Sequence, residues 1–326
     1  MRGAFLFPIL VGAAVGYCAD LNGRETEPTA SRPATSPATE AGAAAGTTAG
    51  LTEEKVVAEI EKLGGKITAG GEAPNWVLAK IEFTPGRESA VTDLVVKHIG
   101  SLSELQALNL ARTRVTDAGL EHLKGLTQLQ QLNLSFTDVT DAGLVHLKDL
   151  PKLHGLVLTR DRVTDAGMEH LQGMVGMTYL NLSMTPVSNE GVKHLKGLKQ
   201  LHVLDLSATS VRDWGLENLK EFDQLQELNL GSTAVIGTGL VHLKDLRQLQ
   251  SLVLRNTHVG SADLDHLKGL ENLRHLDLSF TMVSDEGLEA LKGMSQLKEL
   301  DLTHSNVTEQ GEKKLKEALP KCEISR

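Results

Sequence analysis

The sequence predicts an α/β solenoid: a stack of short coils, each built from a strand, a turn, a short helix and a second turn. Two observations carry this. From Leu105 to Leu302 the chain repeats every 24 residues without insertion or deletion, in the pattern L-x-x-L-x-L-x-x-T-x-V-[TS]-D-x-G-L-x-x-L-K-G-L. Self-similarity at such a period is the signature of stacked supersecondary units. The leading column reads Leu105, Leu129, Leu153, Met177, Leu201, Leu225, Leu249, Leu273 and Leu297, and the column from Val115 to Val307 is valine throughout. The second observation is that the apolar period changes inside each unit. In Leu105–Leu110 the residues Leu108 and Leu110 alternate with polar ones, as a half-buried strand requires. In Ala118–Leu126 the leucines fall three apart, so Leu120, Leu123 and Leu126 share one face of a helix while Glu121 and Lys124 point outward. A lone coil leaves its leucines open above and below, and only its neighbours close the core. Each leucine so buried contributes about 1.5–3 kcal/mol.

These motifs resemble the leucine-rich repeat family, from about Ile81 to the C-terminus and with nine full repeats. The V-T-D-A-G-L segments at Val115–Leu120 and Val139–Leu144 are most similar to the subclass of F-box substrate receptors and of bacterial, planctomycete-like envelope proteins. The resemblance implies a leucine-rich-repeat solenoid: a right-handed curved coil with a parallel β-sheet on the concave face and short helices on the convex face. Where family members carry Asn or Cys, this chain has Thr113, Thr137, Thr185, Thr209, Thr233, Thr257, Thr281 and then Ser305, with Asp161 as the exception. A ladder of hydroxyls serves the same end, bonding backbone groups in the turn that leaves the strand.

The front of the chain is a different material. Met1-Arg2 gives a positive charge, Ala4 to Val15 is an apolar run interrupted by Pro8, and small residues follow, so residues 1–18 read as a secretory signal too short to span a membrane. Cys18 after Val15-Gly16-Tyr17 resembles a lipoprotein cleavage box, although Tyr17 departs from the small residue expected there; Ala14-Val15-Gly16 is the ordinary signal-peptidase alternative. Residues 19–50 form a Pro/Ala/Thr/Gly tract that lacks core-forming side chains and reads as a tether. Residues 51–80 read as an N-terminal cap: Thr52 as N-cap, a helix carrying Val56, Val57, Ile60 and Leu63, a stop at Gly64-Gly65, then strands at Lys66-Ile67-Thr68 and from Trp76 to Phe83. The repeat domain takes residues 81–326, closed by a C-terminal cap at 312–326 in which Leu315 and Leu319 shut the last helix and Cys322-Glu323-Ile324 forms an edge strand.

A formal charge of −9 excludes a phosphate-tracking surface, and so nucleic acid as partner. Two cysteines cannot hold the fold by disulfides. No nucleophile elbow, zinc-protease, C-x-x-C, P-loop or dinucleotide motif is present, so the expectation is a non-enzyme with no cofactor and no metal. The histidine column (His98, His122, His146, His170, His194, His242, His266) spreads one residue per coil, which suits half-exposed helix positions better than convergent metal ligands. The lysine column from Lys124 to Lys316 pairs with acids three residues earlier, as at Glu121, Glu217, Asp265 and Glu289. The Asp column (Asp117, Asp141, Asp165, Asp213, Asp285) sits at the start of each helix, after a Thr or Ser except at Asp213, which follows Arg212, and a negative charge is favoured there.

With the scaffold columns fixed, information resides in the outward strand positions and in the loop column Arg112, Phe136, Arg160, Met184, Ala208, Ser232, Asn256, Phe280 and His304. From Tyr179 onward the strand positions mix an aromatic, both charge signs and histidine, the mixture from which interface hot spots are drawn. The candidate ligand-binding set is therefore Tyr179, His202, Asp205, Glu227, Arg255, Arg274, His275 and Asp277 on the concave strands, with Phe136, Met184 and Phe280 at the rim. The expected function is recognition of a protein, or of a glycan, by an exported module, periplasmic, outer-envelope or extracellular, with two alternatives for its release: simple cleavage of the signal, or a lipid on Cys18 as the one link to the membrane. The alternatives are an architectural envelope protein without a selective ligand, and a ubiquitin-ligase substrate adaptor. The adaptor reading lacks an F-box helix bundle and conflicts with a signal sequence.

Overall fold

A computed structural model describes residues 53–70, 77–83 and 90–326, with the side chains of 53, 69, 70 and 77–79 left aside. The expected signal with Cys18, the tether, Thr52 and Trp76 lie outside the described residues. A helix, Glu53–Lys62, precedes a single sheet of twelve strands in sequential order. The strands are β1 (Gly65–Gly70), β2 (Val77–Phe83), β3 (Ala107–Asn109), β4 (Gln131–Asn133), β5 (Gly155–Val157), β6 (Tyr179–Asn181), β7 (Val203–Asp205), β8 (Glu227–Asn229), β9 (Ser251–Val253), β10 (His275–Asp277), β11 (Glu299–Asp301) and β12 (Glu323–Ser325). The β1–β2 pair is antiparallel and every later pair is parallel, in register at the repeat, as in Leu204 opposite Leu228. Strands sit about 4.8 Å apart while packed helices need about 8–10 Å, so stacked coils must curve with the sheet on the inner side.

The leucine and valine columns form one continuous core: Leu105, Leu108, Leu110, Val115, Leu120, Leu123 and Leu126 of one coil are all buried, as are their equivalents along the stack. The helical side differs from a plain α-helix. Asp117–Leu120 makes a single α-turn that passes into a 3-10 helix at Glu121–Gly125, and Gly237–Leu243 and Ser261–Leu267 are 3-10 throughout. A spacing of three matches the period of the 3-10 helix, whose side chains eclipse at i and i+3, but it does not dictate it, since Met168 and Leu171 keep the same spacing in the α-helix Asp165–Leu171. The helix flank carries the expected ion pairs, Lys124–Glu121 at 3.8 Å, Lys220–Glu217 at 3.3 Å and Lys268–Asp265 at 2.7 Å, all exposed and worth little individually.

The Thr column behaves as expected in kind. The hydroxyls of Thr113, Thr185, Thr209, Thr233, Thr257 and Thr281 donate to the carbonyl three residues back at 2.6–2.7 Å, satisfying a buried acceptor at the strand exit. The Asp column does more than complement a helix dipole. Each carboxylate reaches into the next coil: Asp117 accepts the Thr140 backbone N–H at 2.7 Å and its hydroxyl at 2.6 Å, and Asp93, Asp141, Asp165 and Asp285 hold Thr116, Thr164, Ser188 and Thr308 in the same way. The glycine of V-T-D-x-G-L makes room for this reach, since a Cβ on Gly143 would stand 2.5 Å from the Asp117 carboxylate. The acid is replaced at Asn189, Gly237 and Ser261; Asn189 and Ser261 still accept a backbone N–H of the next coil, from Arg212 at 2.8 Å and Ser284 at 2.9 Å, whereas at Gly237 the reach is lost and the Gly260 N–H is taken instead by Asp263 of its own coil at 2.8 Å.

Candidate functional site

The sheet face is built from three adjacent columns. The first holds Tyr179, Val203, Glu227, Ser251, His275 and Glu299 on β6 to β11, where His275 Nδ1 lies 2.9 Å from Glu299 Oε2. The second holds Asn181, Asp205, Asn229, Asp277 and Asp301, and this column is shared with the scaffold. The side-chain Oδ1 of each accepts the backbone N–H two residues on, as in Asp205 to Ser207 at 2.9 Å and Asp277 to Ser279 at 2.8 Å, a side-chain turn that ends the strand. Asp205 and Asp277 are thus half-buried structural groups as well as candidate contacts. Burial raises both carboxyls above the usual range, against the lowering pull of their Ser207 and Ser279 hydrogen bonds. Desolvation also raises Glu227, offset by nearby His275.

The third column is the rim, and its backbone is distinctive. Arg112, Phe136, Arg160, Met184, Ala208, Ser232, Asn256, Phe280 and His304 all adopt φ between 52° and 61°. Non-glycine residues pay about 1–2 kcal/mol for the left-handed conformation. From Arg112 to Phe280 it turns the N–H onto a carbonyl of the next coil, as in Arg112 to Ser135 and Phe136 to Thr159, both at 2.8 Å. Side chains at this column project past the sheet edge and stack on one another. The Arg112 and Arg160 guanidinium carbons stand 4.6 and 5.6 Å from the Phe136 ring centroid. Arg255 stands 4.3 Å over Phe280, donates to Ser279 Oγ at 2.9 Å, and Phe280 meets the His304 ring at 4.4 Å.

The sequence-selected residues divide accordingly. Arg255, His275, Asp277 and Phe280 gather on neighbouring coils at β9 to β11. Arg274 is exposed beside them, and Met184 stands 42% exposed on the rim farther up. Tyr179 is a correction: expected as an exposed aromatic, it is only 6% exposed, and burial pushes its phenol to about 12. Opposite it in register on β5 lies Gly155. His202 is half-buried with an enclosed Nδ1 that has no hydrogen-bond partner. The residues missed by sequence reasoning are Glu299, His304, Arg112 and Arg160; the last three were visible as members of the loop column, and what marks them is the aromatic one coil away. Among the described residues no group of three or more His, Cys, Asp or Glu side chains is placed to hold a metal ion, and no helix is long and apolar enough to cross a membrane.

A stack of parallel strands and short helices with an ordered rim defines a repeat solenoid with a side-chain-bearing inner sheet. Its sequence matches the family described as leucine-rich repeat region over residues 86–323, and the chain belongs to that family. No curated protein matches. Among solved structures, internalin C2 of Listeria monocytogenes is similar at 25% identity and a TM-score of 0.49, covering 68% of this chain and 85% of that one. Internalin F of the same organism is similar at 18% identity and a TM-score of 0.45, covering 83% and 93%.

Proposed function

We propose that this protein is a non-enzymatic recognition module that binds a protein partner on the sheet face and rim of β9 to β11. The observation that carries the reading is the Arg255–Phe280–His304 stack beside the His275–Glu299 pair and Arg274. It sets aromatic area, both charge signs and a hydrogen-bonding edge on a backbone fixed by the strand pairing and by the rim hydrogen bonds between coils, so little entropy is lost on docking. Mixed charge favours a folded, selective partner over a uniform glycan. Raised carboxyls at Asp277 and Glu227 add to this, because a partner that brings a cation onto them is favoured by their poor solvation. The test is a pull-down from the native host with wild type, with Arg274→Ala/Phe280→Ala, and with the helix-flank control Lys148→Ala/Lys244→Ala, after matching melting temperatures. A partner lost only with the sheet-face variant supports the reading; loss only with the control moves the site to the lysine flank. Tyr179→Ala is a poor probe because the ring is buried.

The module acts outside the cytoplasm, carried there by the segment that ends near Cys18, in this reading. The charged start, apolar run and small-residue exit support it. Mass spectrometry of the mature N-terminus should find cleavage between Gly16 and Ala19, with a diacylglyceryl group on Cys18 if the protein is anchored. An intact Met1 on a cytosolic protein would overturn export.

A further inference from the structure

Threonine or serine fills the strand-exit column in every full coil but one, and that one carries Asp161. The carboxyl is 2% exposed. Its Oδ1 faces the preceding coil, accepting the Thr137 backbone N–H at 2.8 Å and the Thr137 hydroxyl at 3.2 Å. Its Oδ2 is fully enclosed and has no partner. An ionised carboxylate in that setting keeps a buried oxygen without a donor, which is costly. At Thr113, Thr185, Thr209, Thr233, Thr257 and Thr281 an O–H donates to the carbonyl three residues back. The equivalent acceptor here is the Leu158 carbonyl, which receives the Asp161 backbone N–H at 3.1 Å. A proton on Oδ2 gives this position the O–H donor that the other coils obtain from threonine.

We infer that Asp161 is a proton-dependent latch: the folded protein carries it as a neutral carboxylic acid at neutral pH, and its ionisation in mildly alkaline solution loosens the seam between the Thr137 and Asp161 coils. The charged groups around it do not offset that loss. Asp138, beside Thr137, adds repulsion and is itself engaged by Arg162 at 2.6 Å. Arg160 is turned to the Phe136 ring, and the following coil places the uncharged Met184, Thr185 and Pro186 in register. Burial is the largest influence and pushes the carboxyl to about 8, outweighing the two Thr137 hydrogen bonds that pull it down. Because the folded value is raised above the ordinary one, the stability that Asp161 contributes is fully present below the ordinary carboxylate range and is lost as pH rises through about 8.

Carboxyl-carbon NMR of the full chain labelled at aspartate should show one resonance with a midpoint near 8, absent from Asp161→Asn. Such a group is about nine-tenths neutral at pH 7 and about nine-tenths charged at pH 9. In parallel, the urea midpoint of wild type relative to Asp161→Thr, which restores the column's own residue, should fall between pH 5 and pH 9. An Asp161 resonance titrating below pH 5 would overturn the inference, and so would a wild-type midpoint that tracks Asp161→Thr across that range. The NMR titration is read on wild type and needs neither variant to be as stable.

Discussion

Removing one rung of the carboxylate ladder should weaken a single seam of the stack. In wild type Asp141 Oδ1 accepts the Thr164 backbone N–H at 2.7 Å and Oδ2 accepts the Thr164 hydroxyl at 2.6 Å, in a partly buried setting. Hydrogen bonds to charged groups contribute about 1.5–3 kcal/mol each. The hydroxyl can donate to water instead; the backbone N–H loses its acceptor at the start of the helix. Asp141→Ala should therefore cost about 2–4 kcal/mol. Asp141→Asn should cost about half as much, because Asn189 shows what an amide does at this position: it retains one bond, from the Arg212 N–H at 2.8 Å. Glu121→Ala, which removes only an exposed 3.8 Å ion pair, should stay within about 0.5 kcal/mol. The assay is urea unfolding followed by amide exchange at Thr164. In a stack whose coils meet only their neighbours, a weakened seam should also broaden the transition. An Asp141→Ala protein as stable as Glu121→Ala, with Thr164 still protected, would refute the view that the ladder couples coils.

Three further outcomes follow from particular residues. Leu204→Ala in the centre of the stack, where the side chain is fully buried, should cost about 2–5 kcal/mol in denaturant unfolding. Ala208→Gly, at φ 52° on the rim, should raise stability by about 1 kcal/mol in the same assay, since glycine adopts this conformation without the Cβ penalty. In a Tyr17→Phe background, phenolate absorbance should appear only as pH approaches about 12. The folded phenol is raised above the ordinary value of 10.0, so its contribution is complete below pH 10 and declines between 10 and 12, by roughly 2–3 kcal/mol; a Tyr179 that titrates at 10 would show the ring to be exposed.

The strands, the buried columns and the rim were legible because each is a property of one coil repeated at a fixed period. The rim column chosen from variability alone is, residue for residue, the set of non-glycine residues with positive φ among the described residues. Contacts between coils were not legible. Thr140 and Asp141 are adjacent in sequence and read as a helix start, and Thr140 does cap Ala142; yet its hydroxyl and N–H are held by Asp117, 23 residues earlier, a partnership that exists only once coils stack. Strand parity likewise gave Tyr179 the correct face but not its burial, since outward direction says nothing of how closely neighbouring coils cover a side chain.

The same distinction bears on where a partner would bind. Choosing residues one at a time by chemistry favoured Tyr179 and His202, which the structure encloses, and passed over His304 and Glu299, which complete pairs with Phe280 and His275. Side chains in a solenoid work through neighbours one coil away, so the informative unit is a pair 24 or 25 residues apart: Arg112 with Phe136, Arg255 with Phe280, His275 with Glu299. Columns identify the scaffold, and departures from a column carry either function or a cost. Asp161 is the departure with an identifiable cost, an enclosed oxygen without a partner. The stacked aromatics on the rim show no such cost, because each ring has a neighbour from an adjacent coil, Phe136 with Arg112 and Arg160 and Phe280 with Arg255 and His304.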